Sequence, residues 1–229
     1  MITNEKRRFV YDRIFKFLID NNINKFPISI EKLCNLLNVE LKPLSNIIRE
    51  TSLKAQDIFD VWGNEDGCVI YYSQANKHKI AYNDYKPTER IRFTICEECS
   101  HILLGHTQDP SFNVFLQSYT SDTYEEYDET ARIGAGLILC SPKFYYNNQH
   151  LVSPTHLRTI CQISQPCANT RIKVLNKYKY EIQNHPLYES LPSISVPLSM
   201  LKNNHCFDII KDSSGKTISF RVKKLSEVV

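Results

Sequence analysis

The chain has 229 residues, enough for one generous domain or a domain with an appendage, and enough to bury a sizeable core. Its 28 basic and 25 acidic side chains leave a net charge of only +3, which excludes the concentrated positive field of a dedicated nucleic-acid binder. No apolar run approaches the roughly 18 residues of a membrane span, and the basic start is followed by charged residues rather than an apolar signal core. A soluble protein of the cytoplasm is expected, with no membrane partner.

Phe9, Ile14, Phe17 and Leu18 recur at helical spacing, so residues 5–20 should form an amphipathic helix that stops before Asn21-Asn22. A second short helix should follow Ser29 as N-cap, with Ile30, Leu33, Cys34 and Leu37 on one side and Asn38 as its stop. A mixed segment containing Trp62 comes next. Then Gly67-Cys68-Val69-Ile70-Tyr71-Tyr72 and His78-Lys79-Ile80-Ala81-Tyr82-Asn83 read as a β-hairpin across a polar connection.

Lys86-Pro87-Thr88 punctuates the chain, and Thr88 is placed to cap a helix from about Glu89 to Leu104, ended by Gly105. Residues 107–123 are polar and read as a surface loop. Another helix should run from near Tyr124 until Ser141-Pro142 stops it, with Gly134, Ala135 and Gly136 allowing a neighbour to pack closely. Two more helices are expected at about 155–161 and, behind a Ser164 cap, at 166–177. As a pair they resemble a helix-turn-helix, but no cluster of Arg and Lys marks a recognition face, so they read as a packed C-terminal subdomain and direct nucleic-acid binding is not expected. Cys206–Ile210 and Thr217–Val222 flank Asp212-Ser213-Ser214-Gly215 as a terminal hairpin. The division expected is 1–150 for the domain with the chemistry and 151–229 for the helical subdomain with the hairpin.

The eight cysteines lack the context of a disulfide framework and read as free buried thiols. Cys96-x-x-Cys99 has no second pair at finger-like spacing and reads as part of a helix.

The chemistry lies in Cys96-Glu97-Glu98-Cys99-Ser100-His101. In a zinc-protease helix of the H-E-x-x-H type, two ligands four residues apart share one face and the glutamate beside the first acts as general base. The same geometry makes Glu97 and His101 metal ligands and Glu98 the base, because positions four apart differ by only about 40° around a helix. Cys99, about 200° from Glu97, does not belong to that set. His106 falls one residue short of the metzincin position and reads as structural or as a rim residue. The third ligand should come from the acidic start of the following helix: Glu129 is the first choice, with Glu126 and Asp128 open alternatives, and helix-dipole stabilisation accounts for some of these acids without any metal.

Taken in order, Phe26-Pro27-Ile28-Ser29-Ile30, Glu65-Asp66-Gly67, Ile80-Ala81-Tyr82-Asn83, Glu89 to Ile95 running into Glu97–His101, Ile102–His106, and Glu129-Thr130-Ala131 through Leu139-Cys140-Ser141-Pro142 resemble the ImmA/IrrE family of metallopeptidases. The resemblance covers about residues 5–178. It implies an α+β fold: a zincin-like metallopeptidase core with a small antiparallel sheet and active-site helices, plus a helix-turn-helix-like C-terminal subdomain. It also implies a mobile-element or phage setting, and a zinc-type hydrolase that cleaves or regulates a repressor-type transcription factor.

The departure is Glu97, where the family has histidine. Carboxylate oxygen is an acceptable zinc ligand, but two carboxylates and one imidazole bring Zn²⁺ to a formal charge of zero rather than +1. That weakens its Lewis acidity and shifts preference toward Mn²⁺ or Fe²⁺. The alternative is an inactive peptidase-like module that binds a regulatory protein without cutting it. On that reading no metal is held, and an ion pair from Glu97 to a base such as Arg132 would mark a dead site.

Overall fold

In the computed structural model, residues 2–109, 122–149, 152–194, 207–211 and 217–222 are described. The fold is α+β, as expected. The first helix, α1 (Asn4–Asp20), is capped by the Thr3 hydroxyl, which accepts from the Lys6 N–H, and it buries Val10, Tyr11, Ile14, Phe15, Phe17 and Leu18. Phe9 was expected on that stripe but lies 45% exposed, with Arg13 over its ring. The apolar face is centred on Tyr11, Ile14 and Phe15 instead. Ser29 caps α2 (Ile30–Leu36) as expected, accepting from the Lys32 N–H.

The mixed segment holds three elements: β1 (Val39–Pro43), α3 (Leu44–Thr51) and α4 (Ala55–Trp62). The two helices carry a small core of Leu44, Ile58 and Trp62 with Cys68 and Ala81. The expected hairpin is β2 (Gly67–Tyr72) against β3 (Lys77–Tyr82), antiparallel, with Val69 opposite Ile80. On the other side of β3, β1 pairs in parallel, giving the order β1-β3-β2 and a mixed rather than an antiparallel sheet. The parallel pair needs a crossover connection, which α3 and α4 provide between β1 and β2.

Next comes α5 (Thr88–Leu104), which starts at Thr88 itself; Pro87 is the N-cap, and no side chain caps this end. Gly105, at φ +81°, closes it in the left-handed conformation that glycine adopts without steric cost. The partner helix is α6 (Asp122–Leu139). A Cβ on Gly134 would stand 2.8 Å from Ser100 Oγ and 3.0 Å from Ser100 Cβ, so glycine there is what lets α6 close on α5. The loop expected at 107–123 lies mostly outside the described residues; its first part is a short 3₁₀ turn, His106–Gln108.

The chain separates into two units, one of Met1–Asn21 and Ser29–Leu139, the other of Asn22–Ile28 and Cys140–Val229. The first contains every element up to α6. The second comprises α7 (Pro142–Asn148), α8 (Pro154–Cys161), α9 (Gln165–Lys177), α10 (Lys179–Gln183) and the antiparallel pair β4 (Phe207–Lys211) and β5 (Thr217–Val222). Ser153 and Ser164 cap α8 and α9 through their hydroxyls. Tyr145, Tyr146, Leu157, Ile160, Leu175 and Ile182 are buried in this unit, and the Tyr146 hydroxyl donates to the Leu175 carbonyl at 2.7 Å. None of the described cysteines forms a disulfide, and all but Cys167 are buried.

Candidate active site

Three turns of α5 bring Arg90, Thr94, Glu97, Glu98 and His101 to one side of the helix, where they line a cavity of about 270 Å³. The start of β2 (Gly67, Cys68, Val69), the end of α4 (Trp62) and the turn between them form the opposite wall. From α6 come Asp128 and Arg132, one turn apart.

That turn is fixed by its own hydrogen bonds. The Asn64 side chain accepts from the N–H groups of Asp66 and Gly67, and Asn83 donates from its side-chain amide to the Glu65 carbonyl at 2.8 Å. Asp66 then receives a two-pronged contact from Arg90, Nε to Oδ1 at 3.0 Å and Nη2 to Oδ2 at 2.5 Å. The guanidinium holds the Asp66 carboxyl below its ordinary range.

Glu97 and Glu98 divide as the helix geometry requires. The Glu97 side chain, 13% exposed, faces Arg132, whose Nε donates to Oε1 at 3.0 Å. Burial pushes its carboxyl up to about 7, with Arg132 pulling it down and Asp128 pushing it up by lesser amounts. Glu98 keeps some exposed surface as a residue, but its carboxyl is packed round by protein. Burial raises it well above the carboxylate range, the charges of Glu97 and Asp128 add to the rise, and a backbone hydrogen bond at Val69 opposes it.

His101 is 3% exposed, and burial drives its imidazole well below the ordinary histidine value, so the ring is neutral. Its Nε2 lies 3.8 Å from Asp128 Oδ1, beyond hydrogen-bonding distance. Its Nδ1 meets His106 Nδ1 at 3.0 Å.

The register of the third acid is decided by α6. Asp128 enters the cavity; Glu129, about 100° further round, is on the exposed side of the helix and does not line it, and Glu126 pairs with Lys6 of α1. The sequence carried a signal for this choice. Asp128 and Arg132 are four apart on one helix, and an i,i+4 acid–base pair facing the same way is a recognisable unit. Arg132 Nη2 donates to Asp128 Oδ2 at 2.6 Å, so its guanidinium bridges Glu97 and Asp128. Among the described residues, no three His, Cys, Asp or Glu side chains close around one point as the ligands of an ion. The Arg132 guanidinium lies between Glu97 and Asp128, two of the four acids that line the cavity with His101.

Comparison with protein-family models, with curated proteins and with solved structures finds no match. No helix among the described residues is long and apolar enough to cross a membrane.

Proposed function

We propose that this chain is a metal-dependent peptidase of altered ligand set, with Glu97, His101 and Asp128 holding a divalent cation and Glu98 acting as general base. The reading adopts a zincin-like core for the first unit, on the resemblance to the ImmA/IrrE family, and moves the third ligand from Glu129 to Asp128. The observation that carries it is the meeting of Glu97, Glu98, His101 and Asp128 in one cavity. Four carboxyls, of Asp66, Glu97, Glu98 and Asp128, and a neutral imidazole share that space with the guanidiniums of Arg90 and Arg132, and both glutamates are pushed up toward protonation even so. The donor set fits a cation in kind, because carboxyl oxygens and a neutral imidazole nitrogen meet in one buried space, and both glutamates are short of positive charge there even with Arg90 and Arg132 beside them.

Magnitude decides whether the arginine pair closes the site. The Arg132 side chain is 58% exposed while Glu97 and Asp128 are 13% and 21% exposed, so each pair lies above the about 0–1 kcal/mol of a fully exposed ion pair and still opens to solvent on the arginine side. Protein sites for structural Zn²⁺ are worth about 10 kcal/mol or more. A divalent cation held by Glu97, His101 and Asp128 would therefore outcompete the arginine for the shared carboxylates, and the guanidinium would be free to turn into the solvent it already reaches. The Glu97–Arg132 pair is a weak competitor rather than the mark of a dead site.

A bound divalent cation supplies Lewis acidity toward a scissile carbonyl and the positive charge that lets Glu98 ionise. Glu98 then accepts a proton from the attacking water at its carboxylate oxygen and returns it to the departing amide nitrogen. Neutral His101 offers a ring lone pair without a charge to repel a cation. The turn held by Asn64, Asn83 and Arg90 keeps the opposite wall in place for a peptide. On the family resemblance, the substrate is a repressor-type protein. The paired helices α8 and α9 serve in this reading as a packed appendage rather than a DNA reader.

The test is elemental analysis of the purified full chain after exposure to zinc and to manganese, together with Glu97→Ala, His101→Ala and Asp128→Ala. One equivalent of metal in the wild type, lost in all three variants, supports the proposal; a wild type that takes up neither metal defeats it. With metal bound, Glu98→Gln should keep the ion and lose at least about a hundredfold in peptide hydrolysis.

The bridging of Glu97 and Asp128 by Arg132 favours one second reading, a peptidase-like module that grips a regulatory protein without cutting it. That module would bind its partner equally well as Glu98→Gln and in the presence of a chelator.

A further inference from the structure

The geometry points to His106 as a positioning residue that fixes the proton of His101 on Nδ1 and leaves the Nε2 lone pair facing the cavity; its bearing on metal rests on the reading above. The path of the chain makes the contact. Gly105 reverses direction after α5, and the 3₁₀ turn His106–Gln108 carries the His106 ring back beneath the last turn of the helix. There the two imidazoles meet edge to face, centroids 5.1 Å apart, with Nδ1 to Nδ1 at 3.0 Å. At that distance the two nitrogens share one proton: one ring donates and the other accepts.

Two further observations fix His106 itself. Its ring is stacked on Tyr127 at 4.3 Å and 23°, and the Tyr127 hydroxyl donates to Asp109 Oδ2 at 2.6 Å. The turn is tied to the sheet by the contact of Thr107 Oγ1 with His78 Nε2 at 3.1 Å. A ring only 7% exposed and clamped in this way has no freedom to leave His101. Tyr127 is also the neighbour of Asp128 in the chain, so the clamp and the third acid ride on one turn of α6.

The direction of the proton follows from the surroundings of the two rings. His106 borders a second cavity, of about 200 Å³, together with Asp109 and Glu126. The two carboxylates there, though engaged by the Tyr127 hydroxyl and by Lys6, which also lines this cavity, still act on His106 and favour a proton on the nitrogen that does not face His101, leaving Nδ1 to accept. Asp128 exerts the opposite pull on His101, but it is a single carboxylate 3.8 Å from Nε2, and the Arg132 guanidinium that it holds opposes positive charge on His101. His101 is therefore the donor at Nδ1, the tautomer in which Nε2 can serve as a ligand.

Long-range proton–nitrogen NMR of the metal-free full chain reads this tautomer directly, with the His101 signals assigned by their loss in His101→Gln. The wild type should show the His101 proton on Nδ1. In His106→Phe, which keeps a ring against Tyr127 but removes the acceptor, the proton should redistribute to Nε2. Zinc affinity measured against a chromophoric chelator should then fall about 10- to 100-fold. His106→Gln, which restores an acceptor oxygen, should recover both, which a purely structural role for the ring would not produce. A wild-type His101 protonated on Nε2, or a tautomer indifferent to His106→Phe, overturns the inference. If His106→Phe does not fold, the wild-type tautomer and the behaviour of His106→Gln decide. Zinc bound by no variant, with the tautomer pattern as stated, would fail the peptidase reading and leave the role of His106 standing.

Discussion

At the scale of single residues, the site is a contest for two carboxylates. Arg132 holds Glu97 and Asp128 at 3.0 and 2.6 Å, and the divalent cation of the proposed site would need the same oxygens. Arg132→Ala should therefore tighten zinc or manganese binding about tenfold, roughly 1.4 kcal/mol, as titration calorimetry would show; a looser site would mean that the arginine supports the ligands rather than competing for them. Glu97 also sets a pH dependence in the metal-free protein. Its carboxyl is raised in the folded state to about 7 from an ordinary 4.5, so its contribution to stability is fully present below about 4.5 and is lost as pH rises through 7. The full effect is at most about 3 kcal/mol. Urea melts with chelator present should show Glu97→Gln gaining on the wild type at pH 8 and not at pH 4.5. The Glu97–His101 stretch of α5 was legible in the sequence because helix geometry alone puts Glu97 and His101 on one face. For Asp128 against Glu129 the sequence offered only the i,i+4 spacing of Asp128 and Arg132; consecutive acids at a helix start otherwise look alike until the partner helix shows which one faces inward.

At the scale of elements, the decisive contact is α6 on α5. Glycine at 134 permits it, since a Cβ there would press on Ser100 at 2.8 and 3.0 Å. Ser100 is fully buried and its hydroxyl is committed to the Cys96 carbonyl at 2.8 Å, so it cannot step aside. Gly134→Ala gains helix propensity but should still lose about 1–3 kcal/mol by overpacking, read as a lower urea midpoint with unchanged slope. Because Asp128 and Arg132 lie on the same helix, it should also weaken metal binding. The Gly134-Ala135-Gly136 run announced close packing in the sequence, and the serine caps at 29 and 164 were equally plain. Between Val39 and Trp62 the sequence was silent. A five-residue strand and two eight-residue helices are too short for periodicity to separate them, and β1 is defined by its parallel partner β3, which arrives some forty residues later.

At the scale of the whole molecule, each unit has an apolar core made of its own side chains. Tyr11, Ile14, Phe15, Leu33, Ile80 and Ile138 are all but fully buried in the first unit, as are Leu157, Ile160 and Leu175 in the second. Chelation should then leave the far-ultraviolet circular dichroism unchanged, while saturating metal raises the melting temperature. A concentration one hundred times Kd adds about 2.7 kcal/mol to the stability of the folded state. Loss of helix on chelation would instead make the ion part of the fold. The α+β class, the long helices and the two serine-capped helices of the second unit follow from local pattern, because propensity, capping and the 3.6-residue period act over a few neighbours. The side chains that enter the cavity, the bridge made by Arg132, the parallel strand and the return of His106 to His101 depend on residues far apart in the chain or on a turn's path through space. Only the packing of α5, α6 and the sheet against one another could decide those.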